Sequence, residues 1–265
     1  MPLKVHSNFT RCRLGYLLML MAGVVSLAGC LSERSEALSL QARPTAPILS
    51  IEPGEHDLGL GEHRLINRVG AWRDGFIYIP KSVATGKPMP LLVWLHGGGG
   101  SAVDIKHVTS LAEDSGVVIL ALDSRHNTWD AIDGPYGPDV LFMDKALRYL
   151  FQRVNIDMQR IGLGGLSDGA SYTLAVGRAN GGLFTHLVAV APAPWLIDLP
   201  SELIGQPRIL IAHGLKDNVY NYRGSRWFIV PALKSDGYNV TYLEFDGPHS
   251  VPVNVASQVL SWLTQ

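Results

Sequence analysis

Short apolar runs alternate along this chain with apolar residues spaced for helices, and that alternation predicts its elements one after another. Two early runs, 64–69 and 75–79, read as strands joined through Gly70, Ala71 and Trp72, an antiparallel start. Residues 90–95 (PLLVWL) are continuously apolar, as a strand covered on both faces should be. A helix over 102–115 and a second buried strand over 117–122 follow. The best helical pattern is 139–155, where Val140, Met143, Leu147, Leu150 and Val154 recur every three or four residues and Asp139 stands as N-cap. Then come a strand at 157–164, a small-residue helix at 170–180 and strands at 187–190 and 208–212. A helix near 225–235, a strand at 239–245 and a closing helix from about 253 to 263 complete the series. This order predicts the α/β class, a mostly parallel sheet flanked by helices on both faces. Right-handed crossovers then bring the carboxyl ends of the strands to one edge, where ligands bind.

The first part of the chain follows a different pattern. Lys4, Arg11 and Arg13 precede an uncharged stretch over 14–31 rich in Leu, Met and Ala, the charged, apolar and small-residue regions of a secretory signal. The stretch ends Leu27-Ala28-Gly29-Cys30, which resembles the lipobox of bacterial lipoproteins. That resemblance implies a signal peptide over 1–29 and lipidation of Cys30. An uncleaved anchor helix is the alternative. Both place the rest of the chain outside the inner membrane and held to a membrane. Leu31, rather than an aspartate, follows the cysteine, which in enteric-type bacteria implies the outer membrane. Residues 32–55 are polar with scattered prolines, so 30–55 reads as lipidated cysteine plus flexible tether. No repeat or second linker follows, and 56–265 is expected to be one catalytic domain. The chain's two cysteines both lie before it, and a mature chain of about 235 residues buries enough core without disulfides. A net charge of −1 and no basic cluster in the mature part give no sign of a nucleic-acid partner.

Candidate chemistry falls on the predicted sheet edge. Gly165-Leu166-Ser167-Asp168-Gly169 places a serine on a sharp turn between strand and helix, aiming its hydroxyl away from the backbone. His96 and four glycines, 97–100, follow the PLLVWL strand, and glycine there brings N–H groups close to a substrate oxygen. An oxyanion hole needs two donors, assigned to the N–H of Asp168 and to Gly98 or a neighbour. Asp217 and His249 each sit just past a later strand. A serine hydroxyl is a poor nucleophile at neutral pH. His249 would take its proton while Asp217 holds the imidazole in the right tautomer. His96 and His213 read as structural, bonding loop backbone. Asp246 is too close in sequence to His249 to replace Asp217. The carboxylate of Asp168 is expected to point away from a developing oxyanion, toward the positive end of its helix. Ser171 and Ser250 read as packing or capping residues. The long connection 123–138 suggests a cleft wall, with Trp129, Tyr136 and Trp195, and further Tyr220 and Tyr222, as pocket residues. Histidines are scattered and no paired-cysteine or H-E-x-x-H spacing occurs, so neither metal nor cofactor is implied.

Taken together, these motifs resemble the α/β-hydrolase superfamily, near the phospholipase/carboxylesterase group and the esterases of polyhydroxybutyrate-depolymerase-like or feruloyl-esterase-like type. The segments that carry it are YIP (78–80), PLLVWLHGGGGSA (90–102), YGPDVLFMDKAL (136–147), IDMQRIGLGGLSDGASY (156–172), AHGLKDNV (212–219) and FDGPHSVP (245–252). The resemblance implies Ser167 as nucleophile, Asp217 as acid and His249 as base, in the chain order expected of that fold. It implies a carboxylesterase, with polyester or feruloyl-type hydrolysis as the alternative substrate class. A peptidase or amidase, or a binding module that kept the fold, are the remaining readings. Two departures stand out: many relatives carry Gln or Asn at the position of Asp168, and the glycine run is four long.

Overall fold

The apolar runs become strands of one sheet. The computed structural model describes residues 38–66, 69–82, 87–133, 136–193 and 204–265. The strands are β1 (Gly54–Asp57), β2 (Glu62–Ile66), β3 (Val69–Arg73), β4 (Gly75–Ile79) and β5 (Met89–Leu95), then β6 (Val118–Leu122), β7 (Ile156–Leu166), β8 (His186–Val190), β9 (Arg208–Gly214) and β10 (Val240–Phe245). Eight of them form a sheet in the order β1-β4-β6-β5-β7-β8-β9-β10, while β2 and β3 make a separate hairpin. From β6 to β10 every neighbouring pair is parallel; β4 is antiparallel to both β1 and β6. A 3₁₀ turn (Ala102–Val108) leads into α1 (Thr109–Ser115), followed by α2 (Asp130–Asp133), α3 (Pro138–Phe151) and α4 (Asp168–Ala179). A π-helical turn (Ser225–Ile229) leads into α5 (Val230–Ser235), and α6 (Val253–Leu263) closes the chain.

β5 shows why a continuous apolar run is needed. Side chains alternate across a strand, so Leu91, Val93 and Leu95 enter one core with Met143 and Leu147 of α3 and Leu174 of α4. Leu92 and Trp94 enter the other, with Ile105, Ala112, Val255 and Val259. Each such buried side chain contributes about 1.5–3 kcal/mol relative to exposure. This is the α/β-hydrolase fold, with its parallel strands ending on one edge.

Four expectations are corrected. Gly70, Ala71 and Trp72 are not a connection but part of β3, paired with β2. Asp139 is not the N-cap of its helix: Gly137 holds that position and Pro138 is the first helical residue. The Asp139 carboxylate is instead buried, accepting the backbone N–H groups of Arg125 at 2.5 Å and Asp130 at 2.7 Å. The helix over 102–115 begins as a 3₁₀ turn. Finally, the supposed tether belongs to the domain from residue 38 onward. Leu38, Leu40 and Ala42 alternate with polar residues and are buried in the core. The Asn180 amide locks that strap, accepting Leu40 N–H at 2.8 Å and donating to Leu38 O at 2.7 Å. β1 then joins the sheet before residue 56. The signal and Cys30 lie outside the described residues, within which no helix is long and apolar enough to cross a membrane.

Candidate active site

Ser167 follows β7 directly and opens α4 with φ 57° and ψ −119°, a conformation that side chains rarely adopt. The backbone around it is pinned. Ser167 N–H donates to Val190 O at 2.9 Å, and Ser171 N–H donates to Ser167 O at 3.0 Å. The turn is so tight that a Cβ on Gly165 would lie 2.5 Å from the carbonyl carbon of Gly169. A Cβ on Gly169 would run into the carbonyl oxygens of Leu95 and His96. Both glycines are therefore steric requirements of the sharp turn.

The glycine run lies beside it. A Cβ at Gly97 would sit 3.3 Å from that of Ser167. Gly100 N–H bonds Gly97 O at 3.0 Å, Gly99 has φ 73°, and its N–H bonds Asn127 O at 2.7 Å. His96 clamps this loop from below. Its Nδ1 meets Gly97 O at 2.6 Å, while Nε2 receives Arg73 Nη2 at 2.9 Å and Ser124 N–H at 3.0 Å. Those partners assign the proton to Nδ1, and burial pushes the imidazole pKa down, so the clamp is neutral. Asp168 N–H belongs to the first turn of α4, whose donors have no partner within the helix. The Asp168 side chain differs from expectation. It does not turn away: Thr128 Oγ1 donates to its Oδ2 at 2.7 Å, and a Cβ on Gly98 would lie 2.5 Å from that same oxygen.

Asp217 and His249 stand on two loops joined at their roots. Leu215 N–H bonds Phe245 O at 2.8 Å and Lys216 N–H bonds Gly247 O at 3.0 Å, tying the loop after β9 to the loop after β10. Across this seam His249 Nδ1 meets Asp217 Oδ2 at 2.6 Å. The other carboxylate oxygen accepts the N–H groups of Val219 and Tyr220, each at 2.8 Å. The Asp217 side chain is 0 % exposed. The Tyr220 ring meets the His249 ring edge-on at 5.6 Å, and its phenol pKa is raised by burial first, then by Asp168 and Asp217. A cleft of about 410 Å³ is lined by His249, Ser250, His96, Gly97 and Leu166, with Asp104 and His107 from the 3₁₀ turn. Ser167 itself is 9 % exposed.

Among the pocket residues expected from sequence, Trp129 is corrected most clearly. It is 1 % exposed, its indole N–H donates to His96 O at 2.8 Å, and its ring lies 4.9 Å from that of His96 and 5.3 Å from that of Tyr172. It supports the glycine loop from within the core. Tyr136 likewise packs on Tyr172, at 5.8 Å, against the core. Tyr222 is flanked by the guanidinium groups of Arg223 and Arg226, and Trp195 lies outside the described residues. Sequence reasoning missed Arg73 and Thr128, whose long reach to His96 and Asp168 has no local signature. No cluster of His, Cys, Asp and Glu able to hold a metal occurs among the described residues.

No protein-family model matches this chain, and no curated protein is similar to it in sequence. Solved structures are similar in fold. The fluorophosphonate-binding serine hydrolase F of Staphylococcus aureus (FphF) aligns with a TM-score of 0.61 at 14 % identity, over 81 % of this chain and 100 % of that one. The S-formylglutathione hydrolase FrmB of the same organism gives 0.61 at 13 %, over 80 % and 99 %. The S-formylglutathione hydrolase of Agrobacterium tumefaciens gives 0.55 at 17 %, over 77 % and 93 %.

Proposed function

We propose that this protein is a serine hydrolase of carboxylic esters, with Ser167 as nucleophile, His249 as general base and Asp217 as its orienting acid. The observation that carries the reading is the 2.6 Å contact from His249 Nδ1 to the buried Asp217 carboxylate, on the sheet edge where a strained serine follows β7. The solved structures of similar fold, which are serine hydrolases and esterases, support it.

In this reading the Ser167 hydroxyl attacks the ester carbonyl and gives its proton to His249 Nε2. The carbonyl oxygen, now negative, is held by the N–H of Asp168 and one from the glycine run near Gly98. Each such donor contributes about 3 kcal/mol of transition-state stabilisation. Collapse returns the proton from His249 to the leaving alcohol and leaves an acyl-serine. A water then attacks the acyl carbon, passing its proton to His249, and Ser167 is regenerated with release of the acid. No cofactor enters this sequence. Short or medium esters suit the cleft, with polyester ends or feruloyl-type esters as the alternative substrates. The chain is further proposed to act outside the cytoplasm, lipidated at Cys30 and held at a membrane.

The test is turnover of p-nitrophenyl acetate and butyrate together with labelling by a fluorophosphonate probe. Wild-type protein is expected to do both and Ser167→Ala neither, with turnover down at least about 10⁴-fold. Protein that does neither, or labelling that survives Ser167→Ala, would refute the assignment.

A further inference from the structure

The carboxylate of Asp217 has a second imidazole on it. His213, fully buried at the end of β9, places Nε2 3.1 Å from Asp217 Oδ2, the same oxygen that meets His249 Nδ1 at 2.6 Å. The Nε2 atom also lies 2.9 Å from Tyr220 O. Two acceptors at Nε2 require the proton there. Nδ1 of the same ring faces Ser225 Oγ at 2.8 Å, and with Nε2 protonated it accepts from that hydroxyl. Burial lowers the His213 pKa, so the ring stays neutral beside the carboxylate. Ser225, His213 and Asp217 thus repeat the hydroxyl–imidazole–carboxylate order around a shared acid. This second set is sealed: Ser225 is 0 % exposed, so its hydroxyl is out of reach of any substrate.

We propose that His213 is a positioning residue for the base: its Nε2–H, bonded to Tyr220 O, lies against the Asp217 oxygen that meets His249 and fixes the carboxylate plane. The proposal rests on the reading of Ser167, Asp217 and His249 given above. An N–H dipole set against a carboxylate oxygen offsets part of its charge, so removing His213 should strengthen the pull of Asp217 on the His249 ring. With three hydrogen bonds, from Val219 and Tyr220 N–H to Oδ1 and from His249 Nδ1 to Oδ2, and with His213 Nε2 set 3.1 Å from Oδ2, the carboxylate has one orientation left. A purely architectural histidine needed only Tyr220 O and Ser225. Other charged or titratable groups around His249 are Tyr220 at its ring edge, Asp168, whose charge acts on Tyr220, and His96, Asp104 and His107, which line the same cleft. They remain in place when His213 is changed.

Two polar substitutions separate the roles. His213→Gln keeps a donor at the reach of Nε2, whereas His213→Asn keeps the contact to Ser225 and loses the donor to Asp217. Ester hydrolysis is measured from pH 5 to 9, and His249 is titrated by NMR with ¹⁵N-labelled histidine, a readout that needs no turnover. For His213→Asn the acid-limb pKa and the His249 titration should both rise by about one unit, with kcat down about 10-fold and KM unchanged. His213→Gln should stay within a few-fold of wild type with the limb in place. Equal behaviour of the two variants, or an unmoved His249 titration in His213→Asn, overturns the proposal. In wild-type protein His213 must show the Nε2–H tautomer and no titration near 6.5; the other tautomer, or titration there, overturns it without any variant. If wild-type protein turns over no ester while the NMR shift appears, the positioning role stands and the esterase reading falls.

Discussion

The backbone of Ser167 offers a stability test of function. Its φ of 57° is adopted by a residue carrying a Cβ, and the bonds from Ser167 N to Val190 O and from Ser171 N to Ser167 O prevent relaxation. Such a conformation costs about 1–3 kcal/mol for a non-glycine residue. Ser167→Ala retains the Cβ and the cost; Ser167→Gly removes both. Against that gain stands the extra freedom of glycine in the unfolded chain, about 0.5–1 kcal/mol. Ser167→Gly is therefore expected to exceed Ser167→Ala in unfolding free energy by about 0.5–2 kcal/mol, with both variants inactive. The Ser167 side chain caps no helix N–H, so Ser167→Ala itself should lie close to wild type. Urea unfolding followed by tryptophan fluorescence measures the difference, provided the three slopes agree. Equal midpoints, or a more stable alanine variant, would mean that the turn stores no strain and that serine was not placed there against a stability cost. Ala191, the other positive-φ non-glycine residue among those described, sits one strand away with its N–H on Ala212 O. Ala191→Gly should gain by the same mechanism and serves as the internal standard.

Other perturbations reach different parts of the argument. Leu40→Ala is expected to lower the unfolding free energy by about 2–5 kcal/mol, measured by the same denaturation, whereas a flexible tether would show no change. Burial and the charge of Asp130 push the Asp139 carboxyl up to about 7 from 3.8, so its contribution to stability is full below pH 3.8 and lost as pH rises through 7. Burial pushes His186 down to about 4 from 6.5, which makes stability fall in the opposite direction, as pH drops from 6.5 through 4. The two largely cancel between pH 4.5 and 6.5 in wild-type protein; in His186→Gln, thermal unfolding across that range should expose a monotonic decline of a few kcal/mol toward pH 7. Asp168→Asn keeps an acceptor for Thr128 but removes a charge beside Gly98, so the kcat/KM ratio of an anionic hemisuccinate ester to a neutral ester should rise several-fold.

Much of this architecture was legible because it is local. The run PLLVWL could only be a strand covered on both faces, and its alternation into two cores is what the structure has. The closing helix was read with its observed bounds, Val253–Leu263, because its apolar spacing is uninterrupted. What escaped was long-range. Leu38, Leu40 and Ala42 resemble part of a polar linker because their partners are far along the chain: the Asn180 amide for Leu38 and Leu40, 140 residues from Leu40, and the Asp144 carboxylate for Ala42, 102 residues away. Trp72 in β3 reads from sequence as part of a connection because a two-stranded hairpin off the main sheet has no core face to impose a clear alternation. His213 reads from sequence as bonding loop backbone, which it does at Tyr220 O, but its 3.1 Å approach to Asp217 depends on how the loop after β9 curls back.

The connection over 123–138 is where misreading teaches most. Its length and aromatic content suggested a wall of the cleft, yet its residues point one after another at the machinery behind the glycine run. Ser124 N–H reaches His96, Asn127 O receives Gly99 N–H, Thr128 holds the Asp168 carboxylate and Trp129 donates to His96 O. Below them the buried carboxylates take over: Asp130 accepts Tyr172 O–H at 2.8 Å and the N–H groups of Gly137 and Asp139, while Asp139 accepts those of Arg125 and Asp130. Four consecutive glycines have the least intrinsic order of any sequence, and donors aimed at a developing oxyanion are effective only if they are already fixed. The order that the glycines lack is supplied by this brace. A long loop at a sheet edge can serve a site without touching substrate, by fixing a neighbouring segment that has no side chains with which to fix itself.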